Sequence, residues 1–265
     1  MPPHIDIPPT ETLERYFLDE GLADVLEAAR PDARGPNELE SAEPYPPDLV
    51  DLYRLHRLVR TTGRTTVLEF GIGWSTYIFA HALARNAEAF GHKIGELRRS
   101  NPFEVHAVDN EAAWVNIALS RLPSELCTRT AAHVSNVRMG QFNDRICTFY
   151  DELPVVSPDL IYLDGPDQFN IIGEVAGWSS RHNDMVPMAA DLLRIEHYLL
   201  PGTIIVVDGR AANARFLRAN FQREWNYRYD SAADQHVFEQ REDPLGRINA
   251  RQLAFFEDAA AAASQ

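Results

Sequence analysis

Four carboxylates in this chain stand at or near the ends of short runs, three of them mainly apolar and one, Phe103–Val108, alternating. Glu69 lies within Val67–Phe70, Asp109 closes Phe103–Val108, Asp164 closes Leu160–Leu163 and Asp208 closes Ile204–Val207. Runs of this length, bounded by turn residues, read as buried strands. In open α/β sheets the ligand sits just beyond the carboxyl ends of the strands, where these acids fall. A carboxylate placed there can accept hydrogen bonds from both hydroxyls of a ribose, take a proton, or hold a hard cation through oxygen.

The elements that must position these acids are strand, turn and helix units. The clearest is Val67-Leu68-Glu69-Phe70-Gly71-Ile72-Gly73-Trp74-Ser75-Thr76. Gly71 and Gly73 lack a Cβ, so the backbone can turn sharply and a ligand can come close. Ser75 or Thr76 is expected to cap the helix through Tyr77, Ile78, Phe79 and Leu83. The N–H groups at that helix end suit a polar or anionic group. The plain alternative is a tight turn with a solvated glutamate. A dinucleotide fingerprint wants a third glycine, and Thr76 stands in its place.

Further along, a strand is expected in Thr130 to Val137, with Ser135 and Asn136 near its end. The segment Arg145–Asp151 is a second candidate for the same wall of the pocket. Asp109 could instead cap the helix that starts near Glu111. Gly165 to Pro187 is a polar, loop-rich stretch, where substrate contacts are expected. Within it His182 is the best general-base candidate, against the reading of an exposed loop histidine. Asp164 and Asp208, at neighbouring strand ends, could hold Mg²⁺. Arg210 could pair with Asp208 or grip an acidic substrate group.

The sequence Glu69-x-Gly71-x-Gly73-x-Ser75 resembles motif I of the class I S-adenosylmethionine-dependent methyltransferases. Asp109, the peptide Asp159-Leu160-Ile161-Tyr162-Leu163-Asp164-Gly165-Pro166 and the Pro201-Gly202 turn resemble later motifs of that family. The resemblance covers about residues 64 to 240. It implies that Glu69, Gly71, Gly73 and Ser75 surround the methionine part of the cofactor. It implies that Asp109 takes the ribose, that Asn110 lies beside the adenine, that Ser135 lines the pocket and that Asp164 sits near the methyl donor. In metal-dependent O-methyltransferases of the catechol type, the residue matching Asp164 is a metal ligand. There the fifth strand is followed by Asp-Asn, whereas here Gly209 follows Asp208.

Composition narrows the field. The chain has 265 residues, 45% of them hydrophobic, enough for a sizeable core. A net charge of −14 argues against a polyanionic partner, because nucleic-acid binding leans on clustered Lys and Arg. An Asn/Asp-Pro-Pro-Tyr/Phe type motif is also missing after the fourth strand. Cys127 and Cys147 match no metal motif and are expected to be small buried residues. No signal-like or membrane-spanning segment is read, so the expectation is a soluble cytoplasmic protein.

Residues 1–60 read as an N-terminal helical extension carrying 13 Asp and Glu against 6 Lys and Arg, a net of −7. Its helices run from about Leu13 to Ala29, with a break at Gly21, and from Asp48 to Arg60. Pro31 to Pro47 reads as a linker or ordered loop. The acids mark either a solvated face or a lid or homodimer arm over the pocket. A helix over Ala189–Leu200, two antiparallel strands around Tyr227–Glu239 and a C-terminal helical tail over 251–265 complete the reading.

The whole points to an α/β fold: a doubly wound, mostly parallel, seven-stranded sheet of the Rossmann-like methyltransferase type, over 61–250. The implied activity is methyl transfer from S-adenosylmethionine to a small-molecule acceptor, a sugar or other metabolite hydroxyl. Candidate catalytic residues are Asp164, His182 and Asp208, and candidate metal ligands are Asp164 and Asp208. The alternatives are a non-catalytic S-adenosylmethionine-binding sensor or partner protein, and a nicotinamide-dependent oxidoreductase.

Overall fold

The computed structural model describes residues 4–29, 45–182 and 184–263. Most of the expected linker, residues 31–44, lies outside the described residues.

Helices α1 (Thr10–Glu20) and α2 (Ala23–Ala28) are separated at Gly21, whose φ of +82° ends α1 in a left-handed turn. Helix α3 (Leu49–Thr61) starts at Asp48, whose side chain accepts from the N–H groups of Val50 and Asp51. Strand β1 (Thr66–Phe70) leads into α4 (Trp74–Phe90). A 3₁₀ turn over Gly91–Glu96 and a polar loop then reach β2 (Glu104–Asp109). Helices α5 (Ala112–Arg121) and α6 (Ser124–Cys127) precede β3 (Thr130–Val134).

The third strand is shorter than its sequence suggested, because Ser135 and Asn136 break it. The chain then enters a hairpin of β4 (Val137–Phe142) and β5 (Arg145–Tyr150). Asn143 and Asp144, both at positive φ, form its two-residue turn. Arg145–Asp151 is therefore no alternative third strand. It belongs to a separate three-stranded sheet, ordered β5-β4-β7, with β7 at Ile171–Ile172.

The main sheet continues with β6 (Leu160–Leu163), and β8 (Ile204–Asp208) follows helix α7 (Asp191–Ile195). Helix α7 is much shorter than the expected Ala189–Leu200, and a 3₁₀ turn takes Glu196–Tyr198. The Asn213 side chain bonds both the N–H and the C=O of Ala189 and so holds it out of the helix. Helix α8 (Ala211–Asn220), strands β9 (Trp225–Asp230) and β10 (Gln235–Gln240) and helix α9 (Gly246–Ala263) end the chain.

The seven strands lie in the order β3-β2-β1-β6-β8-β10-β9. All neighbours pair in parallel except β10, which runs antiparallel to both β8 and β9. Successive residues of the central strands serve opposite faces, which is why they read as unbroken apolar runs. Val67, Leu160, Tyr162, Ile204 and Val206 pack with α1, α3 and α4; Leu68, Ile161, Leu163, Ile205 and Val207 pack with α7, α8 and the hairpin. The N-terminal helices share the first cluster through Leu13, Phe17, Leu52, Leu55 and Val59. Cys147 is buried, but Cys127 is exposed, since it ends the single turn of α6 at the surface. Among the described residues no helix is long and apolar enough to cross a membrane.

Candidate active site

The sheet parity that sorts the core also sorts the acids. Glu69, Asp109, Asp164 and Asp208 share the parity of Val67 and Tyr162. Each therefore belongs to the face of the sheet that α3 and α4 cover. A cleft opens there at the carboxyl ends of β1, β6 and β8. Glu69, the Gly71–Gly73 turn, Asp164 and Asp208 form its floor, and Tyr45–Asp48 and Asp51 form one wall.

The glycine turn is built by two close approaches. Gly71 has φ +101°, which an L side chain rarely adopts. A Cβ on Gly165 would come within 2.7 Å of the Gly71 nitrogen and 2.8 Å of its Cα, so the turns after β1 and β6 touch backbone to backbone. Gly73 differs. Its φ of −173° is open to any residue, and a Cβ there would meet only Ser75 Oγ at 4.0 Å. Nothing in the protein demands a glycine at this point. The room it leaves belongs to the cleft.

Neither Ser75 nor Thr76 is the N-cap residue, but Thr76 caps the helix from its third position, as one arm of a capping box with the Gly73 backbone. Helix α4 starts one residue earlier, at Trp74, with Gly73 as its cap. Both hydroxyls lie inside the first turn and turn back to Glu69: Ser75 Oγ donates a short bond to Oε1, and Thr76 Oγ1 donates to Oε2 at 2.6 Å. Thr76 Oγ1 also accepts from the N–H of Gly73 at 3.1 Å. A 1% exposed carboxylate is thereby fixed beneath the turn without a cation among its hydrogen-bond partners. Burial pushes its pKa up to about 8, with Asp164 and Asp109 adding to the rise and the two hydroxyls opposing it.

Asp109 ends β2 and is buried. Its Oδ1 accepts from the N–H of Glu111 at 2.7 Å. Glu111, not Asp109, supplies the side-chain cap of α5, accepting from Ala113 N–H. Burial raises Asp109 to about 6; Asp167 adds to this, while the N–H groups of Glu111, Ile72 and Asn110 hold it down. Asn110 reaches the carbonyl of Asn170 at 3.4 Å. Ser135 donates its N–H to the Asp109 carbonyl, while its hydroxyl accepts from Glu152 N–H at 2.9 Å. Its side chain is already engaged, and it is not among the residues that line the cleft.

Asp164 is exposed at the cleft yet crowded on its other sides. Crowding moves its pKa upward, the Arg210 guanidinium pulls it down, and water in the open cleft tempers the rise. Asp208 Oδ2 accepts from Tyr162 Oη at 2.6 Å. Its pKa rises to about 7 through burial first and then through Asp164, with Asp51 contributing. Arg210 makes no ion pair with Asp208; it donates to the Pro166 carbonyl at 2.9 Å. His182 does not join this group. It is exposed on its loop, where its Nδ1 accepts from the N–H of Asp184 at 3.2 Å, away from the cleft's lining.

The sequence reading missed the α3 contribution. Asp51, raised to about 6 by burial and by Asp48, faces the same cleft as Asp164. Leu52 and Leu55 line it one turn on. The i, i+4, i+7 spacing of Asp48, Leu52 and Leu55 was the available signal, since it puts the acids beside an apolar stripe. The apolar stripe of α3 is core, its first turn is cleft wall, and acids of α1 such as Glu11, Glu14 and Asp19 lie on an exposed face. Tyr162, inside an apolar strand, was also passed over.

The strand order, with one antiparallel strand inserted next to the last parallel one, decides the architecture. The fold is that of the Rossmann-like methyltransferases. No family model matches the sequence, and no curated protein does. Among solved structures, the O-methyltransferase TomG from Streptomyces achromogenes, involved in tomaymycin synthesis and determined with S-adenosylmethionine, is 13% identical. That match covers 89% of this chain and all of that one, at a TM-score of 0.43. An O-methyltransferase from Bacillus cereus in complex with S-adenosylhomocysteine is 15% identical over 90% of this chain and 94% of that one, at 0.39. The S-adenosylhomocysteine-bound methyltransferase PaMTH1 from Podospora anserina is 12% identical over 91% of this chain and all of that one, at 0.41. Likenesses this distant do not carry function, which rests on the cleft itself.

Proposed function

We propose that this chain transfers the methyl group of S-adenosylmethionine to a hydroxyl of a small-molecule acceptor. One observation carries the reading: Glu69, Asp109 and Asp164 converge on a turn whose Gly73 leaves room that no protein atom fills. The cofactor brings an ammonium and a sulfonium to a cleft floor of carboxylates, of which Glu69 is bonded to hydroxyls alone and only Asp164 has a guanidinium, Arg210, beside it. Glu69 takes the ammonium side, Asp109 accepts from the ribose hydroxyls, and Asp164 lies by the sulfonium. Asn110 and Ser135 flank the adenine end.

The transfer is an in-line displacement: the acceptor oxygen forms a bond to the methyl carbon as the carbon–sulfur bond breaks and its electrons return to sulfur. Alignment of the two partners is the main task of the protein. The acceptor's proton needs a base. Asp208, with a pKa of about 7 and Tyr162 fixing one oxygen, suits that role better than His182 on its distant loop. A divalent cation between Asp164 and Asp208 is a poor fit. Gly209 brings no third ligand, Tyr162 occupies one oxygen of Asp208, and Arg210 stands by Asp164.

The test is calorimetric titration with S-adenosylhomocysteine. Micromolar binding is expected. Asp109→Ala, folded by circular dichroism, should bind at least about 10-fold more weakly, since a hydrogen bond to a charged group contributes roughly 1.5–3 kcal/mol. Absence of binding to the folded wild type overturns the reading, and binding without turnover on an acceptor panel would leave a cofactor-binding sensor.

A further inference from the structure

Away from the cleft, three side chains from three helices meet. Glu20 ends α1, His56 lies in the middle of α3 and His81 in the second turn of α4, and their ligand atoms all fall within 4.8 Å of one another. His56 is fully buried; Glu20 and His81 are half-buried and line a surface cavity that gives access. His56 Nε2 and His81 Nδ1 are 2.9 Å apart, and Tyr16 Oη lies 2.5 Å from His56 Nδ1. The backbone carbonyl of Glu20, which accepts from Arg85 at 3.1 Å, lies beside the His81 ring.

With no cation, these contacts form one consistent chain of neutral groups. Tyr16 donates to His56 Nδ1, His56 Nε2–H donates to His81 Nδ1, and the remaining His81 N–H faces Glu20. A cation entering between the two rings changes only one tautomer. The His56 proton moves from Nε2 to Nδ1 and is donated to Tyr16 Oη, whose own hydrogen rotates away, so no proton is lost. Both inner nitrogens then offer lone pairs, and each outer N–H keeps an oxygen partner, the arrangement by which metal-bound histidines are oriented. Tetrahedral zinc holds nitrogens at about 2.0–2.1 Å, so the rings need part by only a few tenths of an ångström.

We propose that Glu20, His56 and His81 form a structural site for a zinc-type transition-metal ion, which clamps α1 onto α3 and α4. The donor set of two imidazoles and one carboxylate suits Zn²⁺ or Co²⁺, whereas Mg²⁺ and Ca²⁺ prefer oxygen alone. The surrounding charges sharpen that choice. Arg57, Arg60 and Arg85 face the histidines, and Arg85 Nε lies 3.6 Å from Glu20 Oε2. Their field opposes a dication held only by charge. A metal whose binding comes largely from nitrogen coordination tolerates it. His56 directly follows Leu55, which lines the cleft, so the clamp would also hold the cleft wall.

The experiment uses the untagged full chain, freed of metal by chelation, titrated with Zn²⁺ by calorimetry and with Co²⁺ by visible absorption. One equivalent should bind, with d–d bands of four-coordinate cobalt and a raised thermal midpoint. His81→Gln changes a half-buried side chain and should still fold. It should weaken Zn²⁺ by more than the about 10–100-fold that losing an outer-shell partner costs, and Tyr16→Phe should fall within that range. Absence of stoichiometric binding to the folded wild type, or unchanged affinity in folded His81→Gln, overturns the proposal. Neither result bears on cofactor binding, which is read separately.

Discussion

The two ends of the parallel sheet treat buried carboxylates in opposite ways. At the amino end, Asp159 before β6 is fully satisfied. It accepts from the N–H groups of Thr65 and Thr66 at 3.0–3.1 Å and from Thr65 Oγ1 at 2.6 Å, and it pairs closely with Arg99. Arg64 crosses beneath it to the carbonyls of Asp159 and Gly202. At the carboxyl end, Glu69, Asp109 and Asp208 are buried or nearly so, bonded to hydroxyls and N–H groups, and all titrate upward. A buried acid with a matched cation is architecture; several without one are an unfilled electrostatic demand. The difference marks the carboxyl end as the one where the proposed cofactor would answer that demand.

The sharpest way to break this comparison is to remove one acid from the satisfied end. Asp159→Ala leaves the Arg99 guanidinium, itself only 3% exposed, without its partner. Loss of about 3–5 kcal/mol of unfolding free energy is expected, measured by urea denaturation. Removing Asp109 at the other end should cost affinity for S-adenosylhomocysteine and little stability. If Asp159→Ala were neutral and Asp109→Ala strongly destabilising, the two ends would have exchanged roles.

Two glycines in the same turn region separate architecture from ligand room more finely. Gly165→Ala drives a Cβ into the Gly71 backbone at 2.7 Å and should cost about 1–3 kcal/mol of stability as an overpacked contact. Gly73→Ala meets nothing nearer than 4.0 Å, so its denaturation midpoint should barely move. Its methyl group would instead occupy cofactor space, and calorimetry should report weaker S-adenosylhomocysteine binding. Unchanged affinity in Gly73→Ala would move the cofactor out of this turn.

Much of this contrast was legible in the sequence. Apolar or alternating runs predicted four strands, because strands buried on both faces leave little choice of residue, and their terminal acids fall at the end of the sheet where the cleft opens. What escaped was set by pairings distant in the chain. Asp159 reads as the first residue of a strand, and only the fold brings Arg99, 60 residues earlier, onto it. Asp51 reads as one acid of an acidic helix until α3 is laid across the cleft. The hairpin of β4 and β5 was missed although Asn143-Asp144 is a local turn signal, because weak alternation in Thr130–Val137 drew the third strand too far.

The most gradual expected effect concerns pH and follows from the same unmatched acids. Glu69 titrates near 4.5 in the unfolded chain and at about 8 when folded. Between those values the folded protein binds more protons than the unfolded one, so this group's contribution to stability is fully present below about 4.5 and is lost as pH rises through about 8. An ammonium group brought by the cofactor reverses the balance, because it favours the ionised carboxylate. Cofactor binding should therefore strengthen as pH rises from 6 to 8, by at most about tenfold per unit for one linked proton. Glu69→Gln keeps the side chain's shape and its bonds to Ser75 or Thr76 in part, but it cannot titrate. Its calorimetric affinity should be lower at pH 8 and flatter across the range. A wild-type slope that survives in Glu69→Gln would assign the linked proton to Asp109 instead, whose value of about 6 predicts a rise completed at lower pH.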